Sequence, residues 1–178
     1  YHAITKKVAA DWRKQPTNPT AVLETRYEDE LSTNGIVFSG AFKQRYQMYH
    51  AVLAGSLGYA YGHGRIWDLK TTDKTWKAAL NDPGRLSIKT IWPLLARFSD
   101  AELLNRVPDQ TLLDGALGSA MTEDLLIAMG GGDRRFAIVY STNGRNIRLK
   151  AAQLATGTAG AFWFSPRDGR LPNSAGTQ

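Results

Sequence analysis

Glu24 and Glu28 are the first residues in this chain whose type and placement suggest chemistry. They follow a short apolar run, Thr20-Ala21-Val22-Leu23, that reads as a buried strand. Polar groups then take over abruptly in Glu24-Thr25-Arg26-Tyr27-Glu28-Asp29-Glu30. In α/β barrels the C-terminal tips of the strands are where catalytic side chains sit. Cleavage of a glycosidic bond uses two carboxyl groups, one as general acid and one as nucleophile or base, and Glu24 suits either role. Spacing alone favours the plainer reading, surface acids after a strand with Arg26 as an ion-pair partner.

A second candidate group lies in the loop Gly62-His63-Gly64-Arg65-Ile66-Trp67. Trp67 has the flat apolar face that stacks on a sugar ring, and His63 can hydrogen-bond a hydroxyl. Equally, Trp67 can anchor the loop and His63 can bond to backbone. No metal site is expected, because His2, His50 and His63 fall in different elements without ligand-like spacing. There is no nucleophile elbow, phosphate loop or dinucleotide fingerprint, so no cofactor is expected either.

The elements that must position these residues follow from periodicity. Ile4, Val8 and Trp12 recur every four residues and predict a helix over 1–14, ended by the Gln15-Pro16-Thr17-Asn18-Pro19 stretch. Phe42, Tyr46, Tyr49 and Leu53 form the stripe of a helix over 40–57. Tyr59-Ala60-Tyr61 predicts a second strand. Asn81-Asp82-Pro83-Gly84 is a turn signal, followed by a helix through Phe98 that Pro93 should bend or split. Alternating helix and strand over residues 1–98 predicts βα units around a parallel sheet.

Near Arg106 the texture changes. Leu125–Met129, Phe136–Tyr140, Ile147–Leu149 and Ala161–Phe164 are short apolar runs separated by glycine-rich turns, among them Gly130-Gly131-Gly132-Asp133. Such runs predict a small antiparallel β-sandwich over 106–178, with Trp163 in its core and too few strands to be complete.

Composition narrows the function classes. The 178 residues are 43% hydrophobic and 21% charged, a globular balance, with no apolar run long enough to span a bilayer. The absence of cysteine removes disulfides and thiol chemistry. The net charge of +6 is spread over both halves without a basic, aromatic-interleaved stripe, so nucleic acid is not an expected partner. The chain opens on Tyr1 without an initiator Met or signal peptide, which suggests a piece of something longer.

In order along the chain, several segments resemble an apiosidase-like glycoside hydrolase barrel followed by a collagenase collagen-binding-type domain. Glu24-Thr25-Arg26-Tyr27-Glu28 is similar to the family's Glu-Pro-x-Tyr-Glu element, with Thr25 in place of proline. Arg45 to Gly55 resembles its Arg-rich aromatic helix. Gly58-Tyr59-Ala60-Tyr61-Gly62-His63, with Ile66-Trp67, resembles its Gly-His-Thr-Tyr-Gly-His and Ile-Trp elements, with Tyr59 in place of histidine. Pro108-Asp109-Gln110, Val139-Tyr140 and Trp163-Phe164-Ser165-Pro166-Arg167-Asp168-Gly169 resemble the second domain.

This resemblance implies that residues 1–105 are the last βα units of a TIM-type barrel, in a bacterial-type, secreted or periplasmic enzyme of carbohydrate metabolism. It would cleave complex plant-type polysaccharide, with Glu24 as nucleophile or base. Arg26, Tyr27, Glu28, His63 and Trp67 are the expected substrate-binding residues. Such barrels draw the acid partner from an earlier strand, so the 178 residues alone are expected to be inactive. The other reading is a non-catalytic module that binds carbohydrate or collagen.

Overall fold

In a computed structural model of the chain, residues 3–30, 39–67, 75–155, 157 and 159–171 are described. In chain order the elements are α1 (Ile4–Trp12), β1 (Ala21–Val22), α2 (Ala41–Leu53), β2 (Gly58–Tyr59), α3 (Thr75–Ala79), α4 (Pro83–Ile88), α5 (Ile91–Leu95), α6 (Asp100–Leu104), β3 (Arg106–Pro108), β4 (Leu126–Gly131) and β5 (Ala137–Ser141). Short 3-10 turns cover Gln110–Leu112 and Ala151–Gln153. The chain groups into two compact units, each built from separated segments. One comprises 1–22, 49–59 and 98–158, and the other 23–48, 60–97 and 159–178.

The first unit contains both sheets. β1 and β2 pair in parallel, Ala21 opposite Gly58 and Val22 opposite Tyr59. Parallel neighbours need a crossover between them, and α2 lies in that connection. The pairing extends backwards through Leu57 N–H to Thr20 O at 2.7 Å and Ser56 Oγ to the same carbonyl at 3.1 Å. The expected strand over 20–23 thus shortens to Ala21–Val22, and the one expected over 59–61 is shifted to Gly58–Tyr59.

The second sheet is antiparallel in the order β3-β4-β5. β4 is its central strand and every residue in it is buried, as expected of a strand covered on both faces. β5 alternates, with Ile138 and Tyr140 inward, the period-2 pattern of a half-covered edge. Leu112, Leu113, Leu126 and Ala128 form the core here, with Leu117, Ala137, Val139, Ile147 and Leu154 against it. Tyr49 stacks on Tyr140 with ring centroids 4.6 Å apart. Gly131 N–H to Phe136 O and Arg134 N–H to Gly131 O close the β4–β5 hairpin, at the glycine-rich turn the sequence marks.

Two expected strands are absent. Ile147–Leu149 makes one isolated bridge, Leu149 with Leu113, flanked by Asp114 N–H to Arg148 O and Lys150 N–H to Leu112 O. Ala161–Phe164 lies in the second unit and is not a strand, and the chain after it folds into a local turn. Ser165 N–H bonds to Arg170 O, Gly169 N–H to Ser165 O, and Thr90 Oγ1 donates to Pro166 O at 3.0 Å. Arg97 lies over the Phe162 ring, 4.4 Å from its centroid. The described residues therefore form one three-stranded antiparallel sheet, without the second sheet of the expected sandwich. Trp163 is 54% exposed, where a core position was expected.

The helix before Phe98 is split, but earlier than Pro93 suggests. α4 ends at Ile88 and α5 starts at Ile91, so Pro93 falls in the first turn of α5, where its missing N–H would have no helical partner anyway. Asp82 precedes α4 with extended backbone and Pro83 opens the helix, an arrangement proline's fixed φ favours. α6 opens with a capping box between Ser99 and Glu102. Among the described residues no helix is long and apolar enough to cross a membrane.

Candidate active site

All six residues expected at the site belong to the second unit. The segment that carries four of them, 24–30, makes no regular strand, so its backbone groups must be satisfied by other means. α2 supplies them. Gln47 Oε1 accepts from Arg26 N–H at 3.0 Å, and Arg26 O accepts from Gln44 Nε2 at 2.8 Å and Gln47 Nε2 at 3.1 Å. Gln44 also donates to Ser39 Oγ at 2.8 Å. Both glutamines are completely buried. They lie outside the apolar stripe that defined the helix, which is why periodicity did not single them out.

Glu24 and Glu28 have opposite environments. Glu24 is exposed, and Tyr27 Oη donates to its Oε1 at 2.6 Å. That hydrogen bond is the leading reason the Tyr27 phenol is held above its ordinary value, ahead of desolvation. Glu28 is 4% exposed. Its Oε1 accepts from Gly84 N–H at 2.8 Å, and its Oε2 accepts from Tyr61 Oη at 2.5 Å and Arg85 N–H at 3.1 Å. Burial and this bond to Glu28 push the Tyr61 phenol far up. A Cβ on Gly84 would lie 2.2 Å from Glu28 Oε2, so the residue facing this carboxylate must be glycine. Both Glu28 oxygens are committed within the protein, binding the first turn of α4 to the strand-end segment.

The loop after β2 is tied to the same segment. Glu28 and His63 form a parallel bridge, with Glu28 N–H to Gly62 O at 2.9 Å and Gly64 N–H to Glu28 O at 2.7 Å. His63 is buried. Its Nδ1 accepts from Arg65 N–H at 3.0 Å, and its Nε2 lies 2.9 Å from Asp82 Oδ2. In the neutral tautomer that this network assigns, Nε2 carries the hydrogen and donates to Asp82. His63 therefore takes the backbone-bonded arrangement, with both ring nitrogens occupied. Trp67 does the reverse and leaves 67% of its surface exposed, as a stacking platform would.

Arg26 places its guanidinium 2.8 Å from Glu30 Oε1, a half-exposed pair, while Glu30 Oε2 accepts Tyr27 N–H at 3.0 Å. Spacing had suggested Glu24 or Glu28 as the partner of Arg26. Asp29, His63 and Asp82 bring three potential ligand atoms within 4.8 Å of one another. Histidine spacing carries no sign of this cluster, because two of its members are aspartates from other segments. Arg65 already contacts both acids, with Nε 2.6 Å from Asp29 Oδ2 and Nη2 against Asp82 Oδ2. A guanidinium between two carboxylates supplies the positive charge a metal would bring, so the group reads as an ion-pair network. Of the other histidines, His50 lies buried in the first unit and His2 falls outside the described residues.

Comparison with known proteins finds structures and families similar to this chain. A crystal structure of a glycoside hydrolase family 5 protein from Bacteroides vulgatus matches with a TM-score of 0.84 and 29% identity, covering 96% of this chain and 38% of that one. A second structure, described as a glycoside hydrolase, matches with a TM-score of 0.84 and 27% identity, over 96% and 39% of the two chains. The chain thus spans less than two-fifths of either. No curated protein matches it. Residues 107–177 match the family described as "Putative collagen-binding domain of a collagenase". Residues 1–100, which hold Glu24, Tyr27, Glu28, His63 and Trp67, match the apiosidase-like catalytic domain, and the chain belongs to that family.

Proposed function

We propose that this chain is part of a glycoside hydrolase that cleaves complex plant-type polysaccharide, with Glu24 as its nucleophile or general base. The observation that carries this reading is the contrast between the two glutamates of one motif. Glu28 is buried and fully bonded, whereas Glu24 is exposed with a single phenol holding one oxygen. A reacting carboxylate must reach substrate, and only Glu24 of the two is accessible. Trp67, exposed in the same unit, supplies an apolar face for a sugar ring. Glu28 and His63, expected to bind substrate, act in this reading as the frame that fixes the loops.

Glycoside cleavage needs a second carboxyl group as acid. Most of each matched glycoside hydrolase lies outside the region this chain covers, and the acid partner is placed in the corresponding part of the intact protein. The 178 residues by themselves are then inactive. Residues 1–105 form the catalytic-barrel part and 106–178 an accessory domain, and the protein works outside the cytoplasm, where its polymer substrate is.

In the intact protein, Glu24→Gln should lower the release of reducing sugar from plant polysaccharide by about 10³-fold or more, the scale seen when a reacting group is lost. Circular dichroism should be unchanged. Near-normal release by the folded variant refutes the assignment.

A further inference from the structure

We propose that Tyr27 is a positioning residue for Glu24 and that Gly62 is the seat that lets its ring reach that carboxylate. This rests on Glu24 being the reacting carboxylate proposed above. A glutamate side chain at the surface samples several rotamers, and fixing it costs conformational entropy. Among the described residues, Tyr27 is the one hydrogen-bond donor to Glu24, at 2.6 Å to Oε1. That contact fixes the carboxylate and leaves Oε2 to face the reacting carbon or water.

The phenol is itself aimed by its surroundings. A Cβ on Gly62 would lie 2.2 Å from Tyr27 Cδ1, 2.4 Å from Cε1 and 2.7 Å from Cγ. The ring therefore lies directly against the backbone at residue 62, in space any side chain would fill. Gly62 is held in turn, because its carbonyl accepts the N–H of Glu28, whose carboxylate is anchored to Gly84, Arg85 and Tyr61. Glu30 holds the backbone end of Tyr27 through its N–H. Position thus passes from the buried Glu28 through Gly62 and Tyr27 to the exposed Glu24. The hydroxyl proton of Tyr27 is spent on Glu24, so the phenol orients the carboxylate and cannot also donate to a sugar hydroxyl. The raised ionisation of the phenol, caused first by Glu24, is the reciprocal sign of the same contact.

The test uses the intact protein and a panel of 4-nitrophenyl pentosides and hexosides of both anomers. Tyr27→Phe keeps the ring and removes the O–H. It should lower kcat roughly 10–100-fold, the scale of a misplaced reacting group, while KM stays within about twofold. Gly62→Ala keeps the O–H but displaces the ring, and should act in the same direction.

Tyrosinate absorbance gives a readout independent of turnover. With Tyr27→Phe used to isolate the Tyr27 contribution, Glu24→Gln should lower its titration midpoint towards that of ordinary tyrosine. A midpoint unmoved by Glu24→Gln overturns the proposal, and this arm decides alone if no probe is cleaved. A rise in KM at constant kcat in Tyr27→Phe overturns it in favour of a sugar contact. If Glu24→Gln abolishes turnover while Tyr27→Phe leaves kcat in place, the Tyr27 role alone falls. If folded Glu24→Gln turns over normally, the carboxylate assignment falls and this one with it.

Discussion

Around β4 the buried groups are Leu112, Leu113, Leu126 and Ala128, whereas around Glu28 they are a carboxylate, a phenol and two backbone amides. The first arrangement gains its stability from apolar area, which is non-directional and roughly proportional to the surface removed from water. The second depends on hydrogen bonds that act only within a narrow range of distance and angle. An apolar core can relax by a few tenths of an ångström without losing its purpose. A loop that must hold Glu24 and Tyr27 in register cannot. The contrast shows why the candidate chemistry lies in the unit framed by polar contacts, although those contacts add less net stability than the apolar core.

The largest stability effect should therefore come from the sheet. Leu126→Ala removes a side chain that is 2% exposed and should cost about 2–5 kcal/mol, measured by denaturant unfolding. A loss below about 1 kcal/mol would mean that the core collapses to fill the gap, and would weaken the contrast.

Glu28→Gln should cost less in stability, roughly 1–3 kcal/mol, but should also impair turnover. An amide nitrogen at the Oε1 position faces Gly84 N–H, and at the Oε2 position it faces Arg85 N–H. Either way a buried donor loses its acceptor. Unfolding and activity measured on the same sample sharpen the comparison. Leu126→Ala should lose stability while its folded fraction keeps its kcat, and Glu28→Gln should lose kcat even where fully folded. Equal kcat in the two variants would remove the distinction between the regions.

His50 is a buried polar side chain in the apolar unit, and its effect appears only as the pH falls. It is completely buried, with Nδ1 2.9 Å from Thr5 Oγ1, Nε2 3.1 Å from Thr142 Oγ1 and the Tyr140 ring against its own. Burial pushes its imidazole down to about 3, from an ordinary 6.5. Between those values the unfolded chain binds a proton that the folded chain does not. Stability should then fall as pH drops from about 6.5 towards 3, by at most about 1.4 kcal/mol per pH unit from this group. Above that window the group contributes no slope. The stability gap between the native protein and His50→Gln should narrow as pH falls through it, and a constant gap would show that His50 does not titrate this way.

Local signals read well where a residue's role depends on its near neighbours. The α1 and α2 stripes, the β4–β5 hairpin and the turn signal at Asp82-Pro83 all appear where periodicity and turn chemistry put them. The Ser99-Asp100-Ala101-Glu102 capping box carries an equally local signature. At Ala161–Phe164 local signals mislead. Its apolar run has strand composition, yet the hydrogen bonds that follow it close a local turn and reach Thr90. Composition reports a preference for burial, and it cannot say which partner meets it.

Sequence alone fixed where the first strand ends, that an acid-rich segment follows it, and that a glycine-flanked loop carries His63 and Trp67. Its local patterns could not say which of Glu24 and Glu28 is buried. That choice depends on Gly84, 56 residues beyond Glu28, and on Tyr61, 33 residues beyond it. Gly62 matters for a reason no local pattern contains, the ring of Tyr27 lying on its backbone. Periodicity of 2 or 3.6 residues encodes which face of an element is apolar. Which carboxylate is buried is decided by donors that arrive from distant segments, and only the folded chain brings those together.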